Sequence, residues 1–121
     1  MYEIDIYKTA NGKEPYTEWV LGLDRLIRAR INSRFARIRD FGNLGDYKPI
    51  GEGVFELKFD FGPGHRIYFG LEQNKIVVLL LGGNKGQQQK DINKAIKYWN
   101  DYLSSKEGKN DTLQKLQRIF N

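Results

Sequence analysis

The segment Gly53 to Phe69, GVFELKFDFGPGHRIYF, limits the fold more than any other part of the chain. Phe55, Leu57, Phe59 and Phe61 alternate with Glu56, Lys58 and Asp60. Beyond Gly62-Pro63-Gly64, Ile67, Phe69 and Leu71 alternate with Arg66 and Tyr68. A period of two is that of a half-buried antiparallel strand, and Gly and Pro supply the turn between two such strands. With Gly62–Gly64 as the loop, the predicted register pairs Phe59 with Ile67, Leu57 with Phe69 and Phe55 with Leu71 on one face. It pairs Asp60 with Arg66 and Lys58 with Tyr68 on the other. One face must enter a core, and the other gathers a lysine, an arginine and a tyrosine.

The flanking elements follow from periodicity. Tyr2, Ile4 and Ile6 alternate with Glu3, Asp5 and Tyr7, a first strand. Glu14 to Leu21 predicts a short helix with Pro15 in its first turn and Trp19, Val20 and Leu23 as buried candidates. Asp24 or a neighbour then opens a helix to about Phe41, with Ile27, Ile31, Phe35 and Ile38 in one stripe and Gly42 closing it. Five of its arginines, 28, 30, 34, 37 and 39, are expected as the solvated border of that stripe. Residues 43–53 give a loop and a short strand, Lys75 to Leu81 a continuous apolar strand, and Gly82 to Gln88 a polar loop. A helix follows from Gln88 to Ser105, with Ile92, Ala95, Ile96, Trp99 and Leu103 at helical spacing. Then comes a polar linker, KEGKND, and an amphipathic piece at 112–120 carrying Leu113, Leu116 and Phe120. The expected fold is α+β, a small antiparallel sheet with two N-terminal helices packed on one face and a C-terminal helix. The polar hairpin face is expected to stay open. Residues 1–105 form the domain and 106–121 an extension whose short helix either docks or frays.

At 121 residues the chain suits one domain. A net charge of +5 and a pI near 9.4 favour acidic partners, nucleic acid or an acidic protein, and fit equally a surface with no specific partner. Without cysteine and with His65 as its one histidine, the chain offers no thiol nucleophile, no disulfide and no multi-histidine metal site. No apolar run approaches the ~18 residues of a membrane span. MYEIDIYK lacks the basic start of a signal peptide, so the expected location is the cytoplasm, with no membrane partner.

Several basic and aromatic side chains converge on the expected open face. Lys58, Arg66 and Tyr68 come from the hairpin, Lys85 and Lys90 from the junction after the last strand, and Tyr47 and Lys48 from the preceding loop. Cations with aromatics among them suit phosphate contact and base stacking, and arginine forks a pair of phosphate oxygens where lysine is a point charge. Plainer roles stand beside these. Asp60 can pair with Arg66 across the strands, and Lys58 can decorate a solvent face. His65 can be a loop residue, although its ordinary pKa near ~6.5 suits proton transfer. Trp19 and Trp99 fall at core spacings. Gly82-Gly83-Asn84-Lys85-Gly86 lacks the spacing of a nucleotide phosphate loop, so only a weaker anion site survives there.

The order of EPYTEWV at 14–20, GNLGDYK at 42–48, GVFELKF at 53–59, GPGHRIYF at 62–69, LLLGGNK at 79–85 and QQKDI at 88–92 resembles RelE/ParE-superfamily toxins of bacterial type II toxin–antitoxin modules. The likeness is to the phage-associated addiction module killer protein branch, HigB-like, across about residues 2–103. The resemblance implies a toxin neutralised by a cognate antitoxin, often a helix-turn-helix protein. It implies an endoribonuclease (mRNA interferase) that inhibits translation by cutting mRNA, usually on the ribosome. Lys58, Arg66 and Lys85 match its basic positions, and Lys90 lies where several relatives keep a tyrosine or histidine. The expected chemistry needs no metal and no cofactor. A 2′-hydroxyl attacks the neighbouring phosphate, Arg66 and Lys85 neutralise the developing charge, Lys58 or His65 moves the proton, and Tyr47 or Tyr68 stacks a base. The alternatives are a gyrase-directed inhibitor, as in the ParE arm, and an antitoxin-binding module without chemistry.

Overall fold

The computed structural model describes the backbone of residues 2–120 and, Ile76 excepted, the side chains of residues 2–106. The alternating segments fold as strands β1 (Glu3–Ile6), β2 (Tyr47–Gly51), β3 (Val54–Lys58), β4 (His65–Glu72) and β5 (Ile76–Asn84). They form one five-stranded sheet in the order β1-β5-β4-β3-β2. Helices α1 (Pro15–Leu21) and α2 (Arg25–Phe41) lie between β1 and β2, and a 3-10 turn at Lys85–Gln87 leads from β5 into α3 (Gln88–Phe120). The α+β architecture is the one expected. Among the described residues no helix is long and apolar enough to cross a membrane.

Local signals fix the helix ends. Pro15 begins α1, where its missing N–H costs nothing. The Asp24 side chain accepts from the Leu26 amide and so caps α2. Gly42, at φ 70°, closes it in the left-handed conformation. The apolar stripe of α2, Ile31, Phe35 and Ile38, packs with Tyr16 of α1 on Leu57, Ile67, Phe69, Val77 and Leu79. Full burial of each large aliphatic or aromatic side chain contributes about 1.5–3 kcal/mol.

Four expectations are corrected. The hairpin register is shifted by two: Leu57 opposes Ile67, Phe55 opposes Phe69 and Lys58 opposes Arg66. The Phe59 amide donates to the His65 carbonyl, so Asp60 through Gly64 form the loop, longer than Gly62–Gly64 alone. A shift of two keeps every side chain on its face, which is why pattern alone could not detect it. The sheet is mixed, because β1 pairs parallel to β5. Gly82, Gly83 and Asn84 belong to β5, not to a loop. The helix beginning at Gln88 runs unbroken through KEGKND to Phe120, so the sequence there is not a backbone linker. Side chains from 107 onward, including Leu113, Leu116 and Phe120, lie outside the described ones, and with them the expected docking of the extension.

The largest correction concerns the second face of the sheet. It is not open, because the first half of α3 covers much of it. Ala95 and Trp99 pack on Val54, Tyr68, Val78 and Leu80. Tyr7, expected on the polar side of β1, joins this cluster and stacks on Tyr98 with centroids 5.1 Å apart. Gly70 makes the approach possible: a Cβ there would lie 2.3 Å from the Trp99 ring, closer than any side chain tolerates. A register irregularity opposite Tyr68/Phe69 re-phases β5 and sets Gly83 opposite Arg66. The α2 arginines are not all border residues either. Arg34 donates to the carbonyl oxygens of Lys58, Leu44 and Asp46, with its guanidinium 4.6 Å from the Phe59 ring centroid.

Candidate functional site

Alternation along β3 and β4 sends Glu56, Lys58, Arg66 and Tyr68 to the α3 side of the sheet. Glu56 and Arg66 are buried there, with side chains 1% and 7% exposed, and Arg66 Nε lies 3.5 Å from Glu56 Oε1. Gln88, opening α3, donates from Nε2 to Glu56 Oε2 at 2.8 Å. Arg66 Nη1 also donates to the carbonyls of His65 and Gly64 at 3.3 and 3.4 Å. A buried carboxylate thus holds a buried guanidinium in one orientation. Such a pair adds little net stability, yet loss of one partner strands the other's charge.

Exposed lysines rim this pair. Lys48 Nζ lies 4.0 Å from Glu56 Oε1. Lys58, directly across from Arg66, is 3.7 Å from Asp60 and about half exposed. Lys85, exposed on the 3-10 turn, closes the third side: a Cβ built on Gly64 would lie 3.6 Å from both Arg66 Nη1 and Lys85 Cβ. A small depression of about 160 Å³ opens between Lys48, Glu56 and Lys58. Three ammonium groups around the buried Arg66, against the carboxylates of Glu56 and Asp60, leave an excess of positive charge that attracts a phosphodiester.

The remaining predicted residues fall elsewhere. His65 is buried on the opposite, α1–α2 face, its ring 6.0 Å from the centroids of both Trp19 and Phe61. Burial pushes its pKa below the ordinary histidine value. An imidazole sealed there cannot exchange protons with a substrate at Arg66, so the acid–base role foreseen for it is withdrawn. Period two already carried the signal, since His65 precedes Ile67 by two. Tyr68 is fully buried beneath α3 and cannot stack a base. Burial first, and then the charges of Glu56 and Asp91, push its hydroxyl pKa up. Tyr47 turns its ring to the α1–α2 side, 6.0 Å from Phe55 and 6.4 Å from Phe69, at the sheet's edge. Lys90 is exposed in the first turn of α3. Asp60, foreseen opposite Arg66, pairs with Lys58 instead.

Two further groups belong to this face. Asp91, 6% exposed, stands over Gly83, where a Cβ would come 1.9 Å from Oδ2. Desolvation raises its pKa, and Lys94 and Lys90 partly offset this. Its Oδ2 and the Tyr68 hydroxyl are buried without a hydrogen-bond partner among the described residues. In the sequence Asp91 reads only as an acidic residue suited to a helix N-terminus; its link to Gly83 is long-range and leaves no local signal. Among the described residues no three His, Cys, Asp or Glu side chains converge to hold a metal ion.

No family model matches the chain. It is 42% identical over 81 residues to an uncharacterized protein of Haemophilus influenzae, a match covering 66% of this chain and 81% of that protein. Its fold is like that of a chain in the crystal structure of the intact E. coli RelBE toxin–antitoxin complex. The TM-score is 0.54 at 15% identity, over 69% of this chain and 96% of the other. That likeness is one of fold.

Proposed function

We propose that this chain, which belongs to the same family as the Haemophilus influenzae protein, is the toxin of a toxin–antitoxin pair and acts by cleaving mRNA. The observation that carries this is the cluster of Lys48, Lys58 and Lys85 around an Arg66 oriented by Glu56, on a fold shared with a chain of a toxin–antitoxin complex. The substrate is a message on the ribosome, and the partner is a cognate antitoxin with a helix-turn-helix. In the reaction the RNA 2′-hydroxyl attacks the adjacent phosphate. The P–O5′ bond breaks, leaving a cyclic phosphate on one product and a 5′-hydroxyl on the other. The proton lost by the nucleophile is balanced by the one gained by the leaving oxygen. Arg66 and Lys85 stabilise the extra negative charge of the transition state. Lys58, held by Asp60, serves as a further cation rather than as the base. Without an imidazole on this face, the rate rests on positioning, which supplies up to about 7–11 kcal/mol in well-oriented systems.

One observation favours a second reading. Arg66 is buried and already engaged by Glu56, which Gln88 of α3 also holds, as suits a module that binds its antitoxin without chemistry. Arg66→Ala is a poor discriminator, because it strands Glu56 and costs about 3–5 kcal/mol of stability. Lys58→Gln/Lys85→Gln changes two exposed residues instead. Induced in cells, the wild type is expected to arrest growth and leave discrete mRNA ends in primer extension, and the double variant to do neither while keeping its circular dichroism and melting temperature. Arrest with intact mRNA and lost supercoiling identifies a gyrase-directed inhibitor. No arrest by the wild type, with antitoxin binding intact, identifies the module without chemistry.

A further inference from the structure

Between α2 and the β3–β4 loop runs a groove of about 490 Å³ that no part of the Arg66 cluster except Lys58 touches. Arg30, Ser33, Arg34 and Arg37 reach it from α2, at spacings that put them on one helical face. Lys58 and Phe61 form the other wall. Two of its cations are engaged, Arg34 by three carbonyl oxygens and Lys58 by Asp60. Arg30 and Arg37 are exposed and make no ion pair among the described residues. The Arg30 guanidinium lies 5.0 Å from the Phe61 ring centroid, a cation–π contact that orients it. Asp46 and Asp60 also line the groove, so four cations face two carboxylates.

We propose that this groove is a binding track for single-stranded RNA, holding the phosphates next to the one engaged at Arg66. The proposal rests on the RNA-cleaving reading above and extends it to a second site on the other side of β3. Lys58 belongs to both, opposing Arg66 across the strands and lining the groove, so a strand leaving Arg66 meets a shared cation where it enters the groove. Oriented guanidinium groups beside a half-buried phenyl ring offer phosphate contact and stacking together, the combination that single-stranded nucleic acid uses. An acidic protein segment would use the charge but gain nothing from the paired ring and guanidinium.

The test is fluorescence anisotropy with a labelled oligoribonucleotide made uncleavable by 2′-deoxy substitution. Wild type is compared with Arg30→Glu/Arg37→Glu and with Lys13→Glu/Lys97→Glu, which makes the same charge change at exposed sites outside the groove. The groove variant is expected to bind at least about tenfold more weakly, and the slope of log affinity against log salt to shallow by about 1.4, two phosphate contacts at ~0.7 each on a single strand. The control should stay within about threefold of wild type. Equal binding by groove variant and control overturns the track while leaving the cleavage reading intact. Loss of affinity for a polyglutamate peptide but not for RNA overturns it too, assigning the groove to an acidic protein. Absence of RNA binding by wild type overturns the track, whereas the cleavage reading falls only if wild type also leaves a ribosome-bound message uncut.

Discussion

On the α1–α2 side of the sheet, Leu57, Ile67, Phe69 and Val77 meet Ile31, Phe35 and Ile38 in an apolar cluster. On the α3 side the same strands present Val54, Tyr68, Val78 and Leu80 to Ala95 and Trp99, but they also bury Glu56 and Arg66. The first cluster is held by burial, which is non-directional and tolerates volume-conserving change. The second depends on pairing, so its members cannot be replaced one at a time. A sheet stabilised by one face can carry on the other an arrangement that contributes little to stability and that chemistry can use.

The difference breaks most visibly at Glu56. Glu56→Leu alone should destabilise by about 3–5 kcal/mol, because Arg66 is left charged and unpaired. Glu56→Leu/Arg66→Met should recover most of that loss in urea titration while remaining inactive; a double variant as unstable as the single one would show that the pair is not the unit. On the apolar face Ile67→Val should cost about 0.5–1.5 kcal/mol, with no second-site partner that restores it.

Acid should act on the two faces with opposite signs. The folded pKa of His65 is depressed by burial. Its stabilising contribution is therefore complete above the unfolded value near ~6.5 and is lost as pH falls below it toward the folded pKa. The folded pKa of Asp91 is raised by desolvation, so stability is gained as pH falls through that raised value toward the unfolded one near ~3.9. Urea midpoints across pH should show His65→Phe removing the first dependence and Asp91→Asn the second, with Asp91→Asn stabilising at neutral pH. Both variants retaining the wild-type pH profile would refute the assignment. The smallest change in stability belongs to Lys58→Gln, under about 1 kcal/mol for an exposed pair, despite the large functional loss expected of it.

Much of this was legible in the chain. The alternation of Phe55 to Leu71 defined the hairpin and its two faces, and Asp24, Pro15 and Gly42 marked helix ends. What local pattern left out was long-range. Gly62-Pro63-Gly64 specifies a turn but not how many neighbours join it, so the register slid by two. The apolar stripe Ile92, Ala95, Ile96 and Trp99 needed a sheet surface, and with α1 and α2 occupying one side it could only take the other; that covers Tyr68, and Arg66 on the same face is buried too. KEGKND reads as a linker because it is polar and contains Gly108, yet one glycine costs a helix only about 1 kcal/mol, and α3 continues through it.

In the proposed reaction the cations around Arg66 promote attack by a 2′-hydroxyl on its own phosphate. The direct measurement is end-group analysis of a message cut by the purified protein on programmed ribosomes, with a matched message carrying a 2′-deoxy nucleotide at the cleavage position. The first message should yield 5′-hydroxyl and cyclic-phosphate ends, and the second no cut at that position. Ends bearing a 5′-phosphate, or equal cleavage of both messages, would rule out attack by the 2′-hydroxyl.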